Sequence, residues 1–283
     1  MQIIKTVKVM QGVTRWFRCE GKAIGFVPTM GALHEGHLSL VRRSKEENDR
    51  TIVSIFVNPA QFGPNEDFQK YPRDMESDLS KLSASNVDVV FMPETEEMYP
   101  EDFSVSIDVG SVGKVLCGVS RPGHFNGVAT VVAKLLNATI PDRVYLGQKD
   151  FQQTVVIKKL VRELNFSANV IVGPTVRESD GLAMSSRNAY LNEEERAASL
   201  ILYKALMRGA EFIMSGELDD TSAVKKEMET LIRTEPLAKI DYIEIVDPSS
   251  LNAVRRIIFA AVIFVAVKIG KTRLIDNIII EKN

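Results

Sequence analysis

A chain of 283 residues, 45% hydrophobic and 25% charged, is a globular protein with enough core for one large or two modest domains. Its formal net charge of −2 offers no general attraction for nucleic acid or an anionic membrane, so any basic site for a polyphosphate must be local. Two isolated cysteines, Cys19 and Cys117, fit a reducing compartment, and residues 1–5 lack the apolar core of a secretory signal, so a cytoplasmic location is expected.

Residues 23–27 form an apolar run that meets Pro28, turns through Gly31 and restarts at Gly36 with helical spacing at Leu38, Leu40 and Val41. This pattern predicts a strand, a loop and a helix. Unpaired N–H groups in the first turn of such a helix favour an anion, and phosphate is the natural guest. His34 and His37 stand three residues apart with Gly36 between them, so one helical turn can aim both rings at one point. Imidazoles there can donate hydrogen bonds to phosphoryl oxygens as charge builds in a transition state. A zinc pair of the metalloprotease kind needs histidines four apart, one residue more than this spacing gives.

Residues 51–57 read as a near-continuous apolar strand, completing a parallel βαβ unit. Ligands of open α/β sheets bind beyond the carboxyl ends of strands, which places Asn58 and Gln61 where a substrate could be held. Asn58-Pro59 is equally a plain turn signal. A helix to about residue 84 carries Asp74, Glu76 and Asp78, the usual pattern of a solvated face, and residues 87–92 form the next strand. Arg121-Pro122-Gly123-His124 opens the helix-like stretch 128–137 and reads either as a surface loop or as a second anion corner. Strand 143–146 ends at Gly147, after which Lys149 offers a point charge for phosphate, Asp150 a carboxylate for ribose hydroxyls, and Gln153 an amide one turn into a helix spanning 151–164.

A strand at 169–172 precedes the polar stretch 174–180, taken as the boundary between domains 1–175 and 176–283. Beyond it, Met184-Ser185-Ser186-Arg187 supplies two hydroxyls and a guanidinium on a loop able to close over a triphosphate. Asn192 and Glu195 form a capping box for a long helix to about residue 214, and a second helix spans 221–233. Strands at 240–246, 257–267 and 274–280 follow, so the last third is an α+β lid-like domain. The run 257–267 is far shorter than the roughly 20 residues of a membrane-spanning helix.

His34 to His37 resembles the His-x-Gly-His signature of the nucleotidyltransferase superfamily that includes class I aminoacyl-tRNA synthetases. The longer string Pro28-Thr29-Met30-Gly31-Ala32-Leu33-His34-Glu35-Gly36-His37 is similar to pantothenate synthetases. Met184 to Arg187 resembles the Met-Ser-Ser-Arg form of the superfamily's Lys-Met-Ser-Lys-Ser loop, with Arg187 for the second lysine and none directly before Met184. The resemblance implies a Rossmann-like N-terminal domain, a homodimer, and ATP-dependent joining of pantoate and β-alanine with Mg2+. It implies that His34, His37, Lys149, Ser185, Ser186 and Arg187 meet the phosphates, with Gly31 and Gly36 in the same ATP loop. Met30, Val176 and Met184 would pack near the adenosine, and Gly147 and Asp150 would lie at the ribose. Gln61, Gln153 and Asn58 would serve pantoate, and Asp78 would lie near the metal. Two other readings stay open: nucleotidyl transfer to a phosphorylated alcohol, and a nucleotide-sensing module that binds ATP without turnover.

Overall fold

The computed structural model describes residues 1–64, 66–216 and 220–282. The chain forms two compact units, Met1–Gly147 with Gln153–Pro174, and Gln148–Gln152 with Thr175–Asn283.

In the first unit, β1 (Gln2–Ile4), β2 (Ile24–Thr29), β3 (Arg50–Ile55), β4 (Val89–Phe91), β5 (Arg143–Gly147) and β6 (Asn169–Gly173) make a parallel sheet ordered β1-β4-β3-β2-β5-β6. Helices α1 (Val7–Cys19), α2 (Glu35–Glu47), α3 (Met75–Ala84), α4 (Thr95–Met98), α5 (Cys117–Ser120), α6 (His124–Thr139) and α7 (Phe151–Glu163) accompany it. The Rossmann-like class expected from the sequence is therefore present. Strand order reverses between β2 and β5, and in such sheets the carboxyl ends at a reversal open the ligand crevice. Residues 30–37 leave β2 at that end, and Gly147 closes β5 there.

Pro28 does not end β2 as the sequence suggests; the strand continues to Thr29. Ala23 and Thr29 direct their carbonyls to β3, while Ile24 directs its carbonyl toward β5, so Pro28 faces the β5 side. Pairing with β5 stops at Phe26, and the missing N–H of Pro28 interrupts no ladder. Leu40 and Val41 of α2 pack with Val27, Val53, Ile55, Val90 and Tyr145. A side chain at Gly25 would run into Ser44 and Asn48, so this glycine lets α2 sit close against β2.

The second unit holds α8 (Glu193–Ala198), α9 (Ile201–Ser215), α10 (Thr221–Ile232) and the antiparallel sheet β7 (Ala238–Val246), β8 (Ala260–Ile269), β9 (Thr272–Glu281). Val224, Met228 and Ile232 recur every four residues along α10 and join Leu202 and Leu206 of α9 and Ile263, Val265 and Val267 of β8 in one core. The single helix expected from Asn192 to about residue 214 is two. Ser199 and Leu200 take ψ of −19° and −17°, nearer 3-10 than α values, and Ser199 Oγ bonds back to the Arg196 carbonyl. The strand expected from residue 257 starts at Ala260, because Ile258 and Phe259 are 74% and 79% exposed and lie outside the ladder.

Candidate active site

His34 is the N-cap of α2 in extended backbone, and His37 is its N3 residue. The Gly36 amide donates to His34 Nδ1 at 3.2 Å, and the His34 amide donates to His37 Nδ1 at 3.4 Å. An imidazole nitrogen that accepts carries no hydrogen, so each neutral ring holds its proton on Nε2. The ring centroids are 4.1 Å apart. The sequence places the anion-binding donors in the backbone of the first turn. Two of those amides are already used, Gly36 N by His34 Nδ1 and His37 N by the His34 carbonyl.

The loop ahead of the histidines is held from α3. Gly31 and Ala32 take φ of 82° and 50°, the left-handed region, which for alanine costs on the order of 1–3 kcal/mol. Asp78 offsets this by accepting Ala32 N at 2.8 Å and Leu33 N at 2.7 Å, and Lys81 Nζ donates to the Leu33 carbonyl at 2.7 Å. A Cβ at Gly31 would come within 2.9 Å of Asp78 Oδ2, so glycine answers both the conformation and the close approach.

Asn58 and Gln61 are buried beyond the end of β3. Asn58 Nδ2 donates to Gln61 Oε1 at 3.0 Å and to the Gly127 carbonyl at 3.1 Å. Its Oδ1 accepts Ala60 N at 3.3 Å and the Tyr99 hydroxyl at 2.7 Å. Both donors and both lone pairs of that amide are spent, so Asn58 orients Gln61 rather than offering a group to a ligand. Burial pushes the Tyr99 hydroxyl up to about 12, keeping it a donor at neutral pH. Gln61 Nε2 meets Met30 Sδ at 3.0 Å, which brings the two candidates together. Among the described residues this leaves Gln61 one N–H and one lone pair to offer.

Arg121 and His124 grip the same loop from behind. Arg121 clasps Glu66 through Nε at 2.7 Å and Nη2 at 2.6 Å, and its Nη2 reaches the Gln61 carbonyl at 3.3 Å. His124 Nδ1 lies 2.8 Å from that carbonyl, which only accepts, and its Nε2 lies 3.0 Å from Arg121 Nη1, which only donates. The ring is thereby set as the Nδ1–H tautomer. Burial pushes the Glu66 carboxyl up, but the Arg121 hydrogen bonds and charge outweigh it and hold the carboxyl below its ordinary value. The second anion corner read from the sequence is thus a clamp on the Gln61 backbone. Its partner Glu66 carries no sequence signal, since nothing local links it to a residue 55 positions away.

Gly147 ends β5, and a Cβ there would meet open space with φ outside the left-handed region. Nothing in the protein itself calls for glycine at this point. Gln153 lies in the first turn of α7 in the first unit, while Lys149 and Asp150 belong to the second unit. Lys149 Nζ stands 3.5 Å from Asp150 Oδ1. Val176 and Met184 come together, because Met184 N donates to the Val176 carbonyl at 3.0 Å and Arg177 bridges to Ala183. Ser185 caps a short 3-10 turn, Ser186–Tyr190, by accepting Arg187 N at 3.3 Å. The base of this loop is tied by Asn188 to Glu178 at 3.2 Å and by Arg196 to both Glu178 and Asp180.

Asp78 is a poor ligand for magnesium: it is 2% exposed and each carboxylate oxygen accepts a backbone amide. Among the described residues no three His, Cys, Asp or Glu side chains gather to hold a metal. The donor set fits no protein cage for Mg2+, an ion that commonly keeps waters and substrate phosphates as most of its shell.

A family model for pantoate-beta-alanine ligase matches residues 2–279. The chain is 55% identical over 282 residues to the pantothenate synthetase of Carboxydothermus hydrogenoformans, covering 99% of each. It is 54% identical over 280 residues to that of Thermosipho africanus, covering 99% of this chain and all of the relative. A crystal structure of the Thermus thermophilus enzyme aligns with TM-score 0.93 at 43% identity, over 98% of this chain and 99% of that one. The Francisella tularensis pantoate-beta-alanine ligase, solved with β,γ-ATP and β-alanine, aligns with TM-score 0.80 at 38% identity over 98% and 97%.

Proposed function

Because this chain belongs to the pantoate-beta-alanine ligase family, we infer that it condenses pantoate with β-alanine at the expense of ATP, through pantoyl adenylate. A carboxylate is a poor electrophile toward an amine. The pantoate carboxylate oxygen therefore attacks the α-phosphorus of ATP, the bond to the bridging oxygen breaks, and pyrophosphate leaves. The β-alanine amine then attacks the acyl carbon, and AMP departs with the electron pair of the C–O bond.

The observation that carries this reading is the pair of adjacent imidazoles at the start of α2 whose Nδ1 atoms accept backbone amides, which sets the proton of each neutral ring on Nε2. Such donors need no reorganisation as negative charge grows on α-phosphoryl oxygens, the condition under which electrostatic catalysis is strongest. We assign His34 and His37 to those oxygens. Lys149, Ser185, Ser186 and Arg187 take the departing pyrophosphate, Gln61 and Gln153 hold pantoate, and Asn58 keeps the Gln61 amide in place. Met30, Val176 and Met184 pack on the adenosine, while Gly147 and Asp150 serve the ribose; the open space at Gly147 supports that assignment. Magnesium enters as the companion of the triphosphate, so the substrate is MgATP, and no step is assigned to Asp78. A homodimer rests on the family resemblance, and a cytoplasmic location on the two isolated cysteines. Among the described residues no helix is long and apolar enough to cross a membrane.

The test is pyrophosphate exchange into ATP, with and without pantoate, followed by addition of β-alanine. Exchange that requires pantoate, with AMP released only after β-alanine, is expected. ATP binding without exchange under any condition would overturn the reading in favour of a sensing module. Transfer of the nucleotidyl group to a phosphorylated alcohol with release of pyrophosphate, and no amine-dependent AMP, would favour the other enzymatic reading.

A further inference from the structure

Strand β9 carries two adjacent polar residues, Asp276 and Asn277, that are 3% and 1% exposed in an otherwise apolar run. Neither belongs to a motif visible in the sequence. Burying such groups is costly unless each finds partners, and apolar residues would fill a strand interior at least as stably. Their partners all lie within the second unit and are segments already assigned to ATP.

Asn277 uses its Nδ2 twice, donating to the Gln148 carbonyl at 3.0 Å and to the Lys149 carbonyl at 2.9 Å. Its Oδ1 accepts Gln148 Nε2 at 3.4 Å. The amide thus spans two successive carbonyls at a strand-to-helix junction and fixes the peptide from which the Lys149 side chain departs. Asp276 accepts Arg177 Nη1 at 2.6 Å, Arg177 Nη2 at 3.0 Å and the Asn277 amide at 2.7 Å. Arg177 also reaches the Gly181 carbonyl at 3.0 Å and stacks on Tyr203 at 4.5 Å. It stands between Val176 and the turn that returns to Met184. A side chain at Gly181 would collide with the Tyr203 ring, so that turn is packed tightly from both sides.

We propose that Asn277 is a positioning residue that sets the Lys149 ammonium for adenylation, and that Asp276, through Arg177, sets the base of the loop bearing Met184 to Arg187. The inference rests on the role given to Lys149 above. Lysine is a flexible point charge on four methylenes, and fixing its backbone removes part of the freedom that would blur its placement. A plain core-filling role for Asn277 would instead affect every property of the enzyme alike.

The experiment compares the parent, Asn277→Ala, Lys149→Ala and the double variant, all full length. Each is assayed in pantoate-dependent pyrophosphate exchange and in conversion of supplied pantoyl adenylate by β-alanine. Asn277→Ala is expected to lower exchange on the order of 10- to 100-fold, chiefly in kcat, while adenylate conversion stays within about twofold. In the Lys149→Ala background it should cost nothing more, because one residue acts through the other. Asn277→Ser, which keeps a single donor, should fall between Asn277→Ala and the parent and serves if the alanine variant fails to fold. Equal loss in both half-reactions, or losses that multiply in the double variant, would overturn the inference while leaving the function intact. Exchange that Lys149→Ala leaves at the parental rate would overturn the role of Lys149 and the inference with it. No exchange in the parent would overturn the function itself.

Discussion

His34 caps the helix on which His37 stands, so substitutions at the two residues have separable consequences. His37→Ala removes one Nε2–H donor and a long 3.4 Å bond to the His34 amide, and leaves the cap on Gly36 in place. Adenylate formation in a single turnover is expected to fall on the order of 10²-fold or more, with little change in melting temperature. His34→Ala removes a donor and the cap together, so it should show a similar kinetic loss plus about 1 kcal/mol of stability. A His37→Ala variant that forms adenylate at a near-normal rate would take that residue out of the assignment. The histidine pair was legible in the sequence because its spacing is local and its tautomers follow from neighbours at most three residues away. The saturation of Asn58 was not, since its decisive partners Tyr99 and Gly127 lie 41 and 69 residues on.

Between residue and domain, the element that matters most is the loop after β3, which α6 and its approach hold by backbone and by charge. Gly127 of α6 sits so close that a Cβ there would collide with the Ala60 carbonyl and stand 2.8 Å from Gln61 N. Gly127→Ala is expected to cost about 1–3 kcal/mol in overpacking. It should also raise the KM for pantoate more than that for ATP; equal rises would place Gln61 outside the pantoate site. The Arg121–Glu66 clasp gives the same loop a pH dependence. The folded carboxyl lies below its ordinary value, so its stabilising contribution is complete above the unfolded pKa and is lost as pH falls through the folded one. Denaturant midpoints from about pH 7 down to pH 3 should fall more steeply for the parent than for Glu66→Gln, whose amide does not titrate. Parallel curves would remove the clasp as the source.

Elements with strong periodicity were legible in the same way, the capping box at Asn192 and Glu195 being one that the structure contains. Helix α1 carries little periodic signal, although Thr6 caps it by accepting Val9 N and Met10, Thr14 and Phe17 recur on its buried face. Only Met10 and Phe17 on that face are strongly apolar, a weak signal beside the exposed Trp16. Residues 257–259 differ for the opposite reason: they are apolar enough for a strand, but Ile258 and Phe259 are exposed and lie outside the β8 register.

At the scale of the whole molecule, the chain passes between its two units at 147/148, 152/153 and 174/175. The first two crossings bracket five residues, the link after β5 and the first two residues of α7, that pack with the second unit, where Asn277 holds the Gln148 and Lys149 carbonyls and Phe151 meets Phe264 edge-on at 5.7 Å. No hydrophobic pattern announces such an exchange, since periodicity reports that a face is buried and not which core receives it. Melting of the second unit releases these carbonyls and the phenylalanine ring, and so loosens the ends of β5 and α7 that belong to the first. The two cores should therefore unfold together, although each unit has a hydrophobic cluster of its own. Leu206→Ala, deep in the second core, is expected to cost about 2–5 kcal/mol and to lower the midpoint of one calorimetric transition without splitting it. A first transition that moves alone, followed by an unshifted second, would mean that the strand-to-helix junction transmits nothing. In that case the positions of Lys149 and of the histidine loop would be set independently, each by its own core.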